Sequence, residues 1–135
     1  MKKNLLTLFA GLIMAISPAV ADVTFTVNVP SGTKQCYVTG ELPALSNWSA
    51  GAAVPMTKVD GKDQFTVTIA GITADDVKAS QGYKYICGPD WKYVEVTASD
   101  GEMANRTTVG NPDVVAKWRN VYTAIGIVEN WTIAG

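Results

Sequence analysis

Histidine is absent from all 135 residues. That removes the commonest general base and the commonest metal ligand, so a Ser-His-Asp hydrolase and a His-based zinc site are both excluded. Clusters of lysine and arginine are also missing. Basic and acidic residues number 11 and 12, a balance that suggests neither a nucleic acid nor an anionic membrane surface as partner. Only one apolar run is long, residues 5–16, and it is too short for a comfortable membrane span. Internal repeats, heptads and low-complexity stretches do not occur. Cysteine is scarce, with Cys36 and Cys87 alone.

The short apolar run has a different meaning. Two lysines precede it, and Ser17-Pro18 and Ala19-Val20-Ala21 follow. A charged start, an apolar middle and an A-x-A ending predict a secretory leader cleaved after Ala21. The residue directly after that point is Asp22 rather than cysteine, which argues against a lipid anchor. The expected product is periplasmic or secreted and starts near Asp22. Without Lys2 and Lys3 its nine basic residues face twelve acidic ones, so it is mildly acidic. An even cysteine count in an oxidising compartment favours a Cys36–Cys87 disulfide, provided the strands carrying them are neighbours. The alternative is two buried thiols, because cysteine packs well as a small hydrophobe.

What remains is dominated by short alternating segments. Residues 23–29, VTFTVNV, alternate apolar and polar with period two, as a half-buried strand does. QCYVTG follows the turn signal Pro30-Ser31-Gly32, and DQFTVTIAG follows the hairpin dipeptide Asp60-Gly61. YKYIC and WKYVEVT flank Gly88-Pro89-Asp90, and VVAKW follows Gly110-Asn111-Pro112. The one helical signal is ITADDVKAS, where Thr73 and Asp76 form a capping-box pattern with room for one or two turns before Gly82. These features predict an all-β fold, an immunoglobulin-like antiparallel β-sandwich of seven to eight strands spanning residues 22–120. The apolar tail, residues 121–135, is expected to add an edge strand.

A polar loop, ELPALSNWS, carries Trp48 away from the strand that ends at Gly40. Pro43 and Leu45 are expected to pin this loop to the core. If Gly88–Trp91 is the next turn, Tyr85 faces Val94 and Lys84 faces Glu95. Alternation then turns Tyr83, Tyr85, Cys87, Val94 and Val96 inward, and Lys84, Ile86, Trp91, Tyr93 and Glu95 outward. A slip of one residue would exchange these faces. Exposed rings beside lysine, asparagine and glutamate suit a pyranose, whose C–H face stacks on an indole while its hydroxyls bond the polar side chains. Trp118, among apolar neighbours, is assigned to packing, whereas nothing in its surroundings assigns Trp131.

CYVTGELPALSNWS resembles the strand and loop of starch-binding modules (carbohydrate-binding module family 20). YKYICGPDW resembles the strand–turn–tryptophan segment of the related glycogen-binding family 48, ANRT the Asn-Arg of the starch-binding pattern, and VVAKWRN its closing strand. The resemblance extends from Val23 to about Asn120. It implies a non-catalytic sandwich that binds α-glucan chains such as starch or malto-oligosaccharides, with no cofactor and no metal. By position Trp48 and Trp91 match stacking tryptophans, Lys84 a lysine bonding hydroxyls, and Asn105 an asparagine on the same chain. Tyr93 and Glu95 join them as candidates through the hairpin register. In the starch-binding form the second tryptophan stands where Val96 is, and residues 72–81 read as an insertion. Two other classes remain on the sequence: a structural or protein-interaction sandwich at the cell surface, and a small enzyme, whose carboxylates would come from Asp90, Asp100 and Glu95 or from the glutamates Glu41 and Glu102, for which no spacing argues.

Overall fold

The computed structural model describes residues 21–123. The leader and residues 124–135, with most of the expected edge-strand tail and Trp131, lie outside them. Among the described residues the elements are β1 (Asp22–Asn28), β2 (Tyr37–Gly40), β3 (Val54–Pro55), β4 (Thr57–Lys58), β5 (Gln64–Ala70), helix α1 (Ala74–Ala79), β6 (Tyr83–Ile86), β7 (Glu95–Val96), β8 (Asp113–Val114) and β9 (Lys117–Trp118), with three short 3-10 turns between them.

The period-two pattern sorts β1 as its composition demands: Val23, Phe25 and Val27 are buried, while Thr24 faces solvent. β1 pairs antiparallel with β5 along its whole length, from Asp22↔Ala70 to Asn28↔Gln64. On the outer face Thr24 and Thr26 share hydrogen bonds with Thr68 and Thr66 at 2.8 and 3.1 Å. This sheet has the order β4-β5-β1-β8, and β8 joins β1 in parallel. A second sheet has the order β3-β2-β6, and β7 and β9 form a two-stranded ribbon. The result is an all-β sandwich of mainly antiparallel sheets. Its strands are more numerous and shorter than the sequence predicts, and the β1–β8 pairing departs from a purely antiparallel pattern.

Phe25 of the first sheet meets Tyr83 of the second edge-on, with ring centroids 4.9 Å apart. Val23, Val27, Phe65 and Ile69 pack from one side, and Val38, Tyr83 and Tyr85 from the other. Each such large apolar side chain contributes roughly 1.5–3 kcal/mol on burial. The capping box forms as its sequence predicts: Asp76 N donates to Thr73 Oγ1 at 3.0 Å, and Thr73 N donates to Asp76 Oδ2 at 2.9 Å.

The core also holds charge. Arg106 donates to Glu95 through Nε at 3.0 Å and Nη2 at 2.6 Å. Glu95 also accepts from Tyr85 N at 3.1 Å. Asp113 Oδ2 accepts from Tyr83 and Tyr85 hydroxyls at 2.6 and 2.7 Å. Burial, with the Asp113 carboxylate next to both rings, pushes the two phenols well above the ordinary tyrosine value.

Two expectations fail here. The β2–β6 register pairs Tyr37 with Ile86, so Cys36 and Cys87 adjoin the ends of neighbouring strands, but they are free thiols, both buried. Cys87 Sγ donates to the Asn120 carbonyl at 3.3 Å, and burial raises both thiols. Each cysteine packs as a small hydrophobe, the alternative the sequence leaves open. The hairpin register is the second. Ile86 pairs with Val94, one residue out of the expected alignment, because residues 91–93 coil into a 3-10 turn that absorbs an extra position. Tyr83, Tyr85 and Cys87 still face the core, but Glu95 joins them there. Val94 instead lies with Ile86 on the opposite face.

Candidate functional site

β2 ends at Gly40, a position that must be glycine because a side chain there would collide with the Gly82 carbonyl. Glu41 N donates to that same carbonyl at 3.0 Å, which aims the following loop away from the sandwich. Leu45 is fully buried and anchors the loop as expected, whereas Pro43 is exposed and only starts the 3-10 turn Pro43–Trp48. A proline at that position needs no backbone donor and has its φ preset.

The chain then does something the sequence does not announce. Ser46, Asn47 and Trp48 all have positive φ, at 71°, 49° and 62°. Left-handed backbone costs a residue with a Cβ roughly 1–2 kcal/mol, so three in succession must be held in place. Thr39 and Ser46 hydroxyls share a 2.8 Å hydrogen bond, Ser46 Oγ donates to Ser49 O at 3.1 Å, and Asn47 Nδ2 donates to Glu41 O at 2.8 Å. Beyond the turn, Ala50 and Ala53 bury against Ile86 and Val94, with Tyr37 at the edge. Strain of this kind concentrates at ligand clamps and switch regions.

The second tryptophan comes from the hairpin between β6 and β7. Asp90 accepts from Lys92 N at 3.0 Å and caps the turn that carries Trp91. Val94, which closes this turn, belongs to the same small apolar cluster as Ala50 and Ala53. That shared cluster draws the two loops together. Trp48 and Trp91 lie with ring centroids 6.1 Å apart and planes inclined at 48°. Trp91 is 37% exposed and Trp48 is half-buried. The pair makes a bent apolar platform on the outer face of the β3-β2-β6 sheet.

Lys84 lies on that outer face, opposite Thr39, which is bonded to the tryptophan loop. Its side chain is only 11% exposed, and its ammonium stands 3.5 Å from Glu102. Asn105 is exposed, with its amide donating to Gln81 O at 3.0 Å. Among the described residues neither side chain bonds the tryptophan loop. Two candidates are corrected. Glu95 is 1% exposed and committed to Arg106 and Tyr85 N, so it has no surface to offer. Tyr93 is half-buried, stacks edge-on against Tyr122 at 4.9 Å and packs on the main core. Trp118 is buried and donates from Nε1 to Thr33 Oγ1 at 2.9 Å, in keeping with a packing role.

Sequence reasoning missed Thr39, Ser46 and Asn47, which hold the platform. The usual signal for left-handed backbone is glycine, and only Asn47 hints at it here. Among the described residues no group of three or more His, Cys, Asp or Glu side chains could hold a metal. No described helix is long and apolar enough to cross a membrane.

No family model and no curated protein matches the chain. Among solved structures it is similar to the glycoside hydrolase family 15 glucoamylase from Hypocrea jecorina, at 24% identity and a TM-score of 0.43, over 76% of this chain and 18% of that one. It is also similar to the glucoamylase of Hormoconis resinae, at 15% identity and a TM-score of 0.42, over 71% of this chain and 17% of that one. The chain thus spans less than a fifth of either structure, and likenesses of this extent do not specify a function.

Proposed function

We propose that this protein is a non-catalytic, secreted or periplasmic binder of α-glucan chains, with Trp48 and Trp91 as its stacking platform. The observation that carries the reading is the tilted tryptophan pair, 6.1 Å apart and inclined at 48° on two braced loops. Two indoles inclined to each other follow a curved chain of pyranose rings better than a flat one. The starch-binding resemblance of residues 36–49 supports the choice of glucan, and the leader pattern supports the location. By the starch-binding resemblance, Lys84 on the same outer face and the exposed Asn105 are assigned to sugar hydroxyls. Each stacked ring is worth roughly 0.5–1.5 kcal/mol beyond area burial, so micromolar to millimolar affinity is expected of such a site.

Affinity electrophoresis in starch-containing gels tests the proposal. The protein is expected to be retarded, Trp48→Ala or Trp91→Ala to weaken binding about two- to tenfold each, as one stacking contact implies, and the double variant to run free. Unretarded migration of the unaltered protein, or retardation unchanged in the double variant, rejects the proposal.

A further inference from the structure

Asn47, the neighbour of Trp48 in the loop, lines a groove of about 500 Å³ between the loop and α1. That volume falls within the roughly 300–1,000 Å³ of small-ligand sites. Leu42, Ile72 and Ala79 give it apolar walls, while Glu41, Asn47 and Asp76 bring polar groups to it. The hydrogen bonds of these three are one-sided. Glu41 Oε1 accepts from Gln81 N at 2.7 Å, Asp76 Oδ2 accepts from Thr73 N, and Asn47 Nδ2 donates to Glu41 O. Glu41 Oε2, Asp76 Oδ1 and Asn47 Oδ1 have no hydrogen-bond partner among the described residues, and no lysine or arginine lines the groove.

A ligand that donates hydrogen bonds to several oxygens and also covers apolar walls suits this groove. A pyranose does both with one ring. We propose that the groove binds the sugar units next to those on the tryptophans, so that one glucan chain runs from the platform into it. This rests on the reading of the pair as a glucan platform. Asn47 and Trp48 are successive residues of one braced left-handed turn, so the groove wall and the platform share one support. The opposite wall comes from Ile72, Asp76 and Ala79, in the segment that reads as an insertion relative to the starch-binding pattern. The insertion thereby has a role: it lengthens the binding track.

Calorimetric titration with maltotriose and maltoheptaose, on the unaltered protein, Ala79→Phe and Glu41→Gln, tests the inference. Ala79 is exposed at the end of α1, so phenylalanine fills the groove without entering the core. Glutamine at position 41 retains an oxygen for Gln81 N. Maltoheptaose is expected to bind about tenfold more tightly than maltotriose, the worth of one charge-assisted hydrogen bond. Ala79→Phe should erase that advantage and Glu41→Gln reduce it, with maltotriose affinity unchanged in both. An advantage that survives Ala79→Phe, or an equal loss for both lengths, overturns the groove assignment while the platform stands. Binding of neither sugar by the unaltered protein overturns the platform and the groove together. Butylammonium probes the other chemistry that acceptor oxygens and apolar walls could serve. Its displacing maltoheptaose from the groove without affecting maltotriose would confirm that the sugar sits there, whereas its binding in the absence of any chain-length effect would overturn the sugar assignment.

Discussion

Arg106 and Glu95 show how far a single side chain departs from what its neighbours in sequence suggest. In the chain Glu95 sits between valines in an alternating segment, beside two aromatic residues and a lysine, and reads as a wet surface group. In the fold it is buried, and its partner comes from eleven residues further on. Breaking such a pair leaves a carboxylate in the core without a counter-charge. Arg106→Met is therefore expected to cost about 3–5 kcal/mol, read as a lowered urea midpoint. It also leaves Glu95 close to the Asp113 cluster without the cation between them. If the midpoint is unchanged, the ion pair has no part in holding β6 and β7 together. Nothing local could have revealed this partnership, because the two residues meet only when the β6–β7 register is known.

Elements were legible to the extent that period two governs them. β1 follows its alternation residue by residue and β5 buries Phe65 and Ile69 in phase with it, and the capping box of α1 was readable from Thr73 and Asp76 because both partners lie within one turn. The hairpin between β6 and β7 was not, since the geometry of a turn decides register, and Pro89-Asp90-Trp91-Lys92 allows more than one. Asp90 settled the outcome by capping a 3-10 turn, and the slip of one residue moved Glu95 into the main core and Val94 to the opposite face, where it is buried with Ile86. The loop that carries Trp48 was legible in its departure point, Gly40, and in its anchor, Leu45. Its left-handed turn was not, because Ser46 and Trp48 are not residues that ordinarily take positive φ. Asn47→Ala and Asn47→Gly both remove the hydrogen bond to Glu41 O, but glycine accepts the backbone angle freely. Asn47→Ala is therefore expected to be the less stable by about 1 kcal/mol, measured by thermal or urea unfolding. Equal stability of the two variants would contradict the left-handed conformation.

For the molecule as a whole, the buried phenols of Tyr83 and Tyr85 set its response to alkali. Both have folded pKa values raised above those of the unfolded chain. Their contribution is complete below the ordinary tyrosine value of about 10. Above it the unfolded chain releases protons that the native state retains, so stability falls as pH rises. Each phenol is expected to steepen that fall by about 1.4 kcal/mol per pH unit, and Tyr85→Phe should make the alkaline limb of a stability-against-pH curve shallower. An unchanged limb would mean that Tyr85 ionises in the native state. The sandwich class was legible from strand spacing and turn signals, whereas the parallel β1–β8 pairing and the separate β7–β9 ribbon depend on long-range pairing with no local signature.

The tilted pair Trp48–Trp91 is the centre of the functional reading, and the indole N–H resonances test it directly because each tryptophan reports separately. On titration with maltoheptaose, the resonances of Trp48 and Trp91 are expected to shift together and saturably. That of Trp118, donated to Thr33 in the core, should stay in place. Stationary Trp48 and Trp91 resonances at saturating sugar, or shifts confined to other tryptophans, would contradict the assignment of the platform.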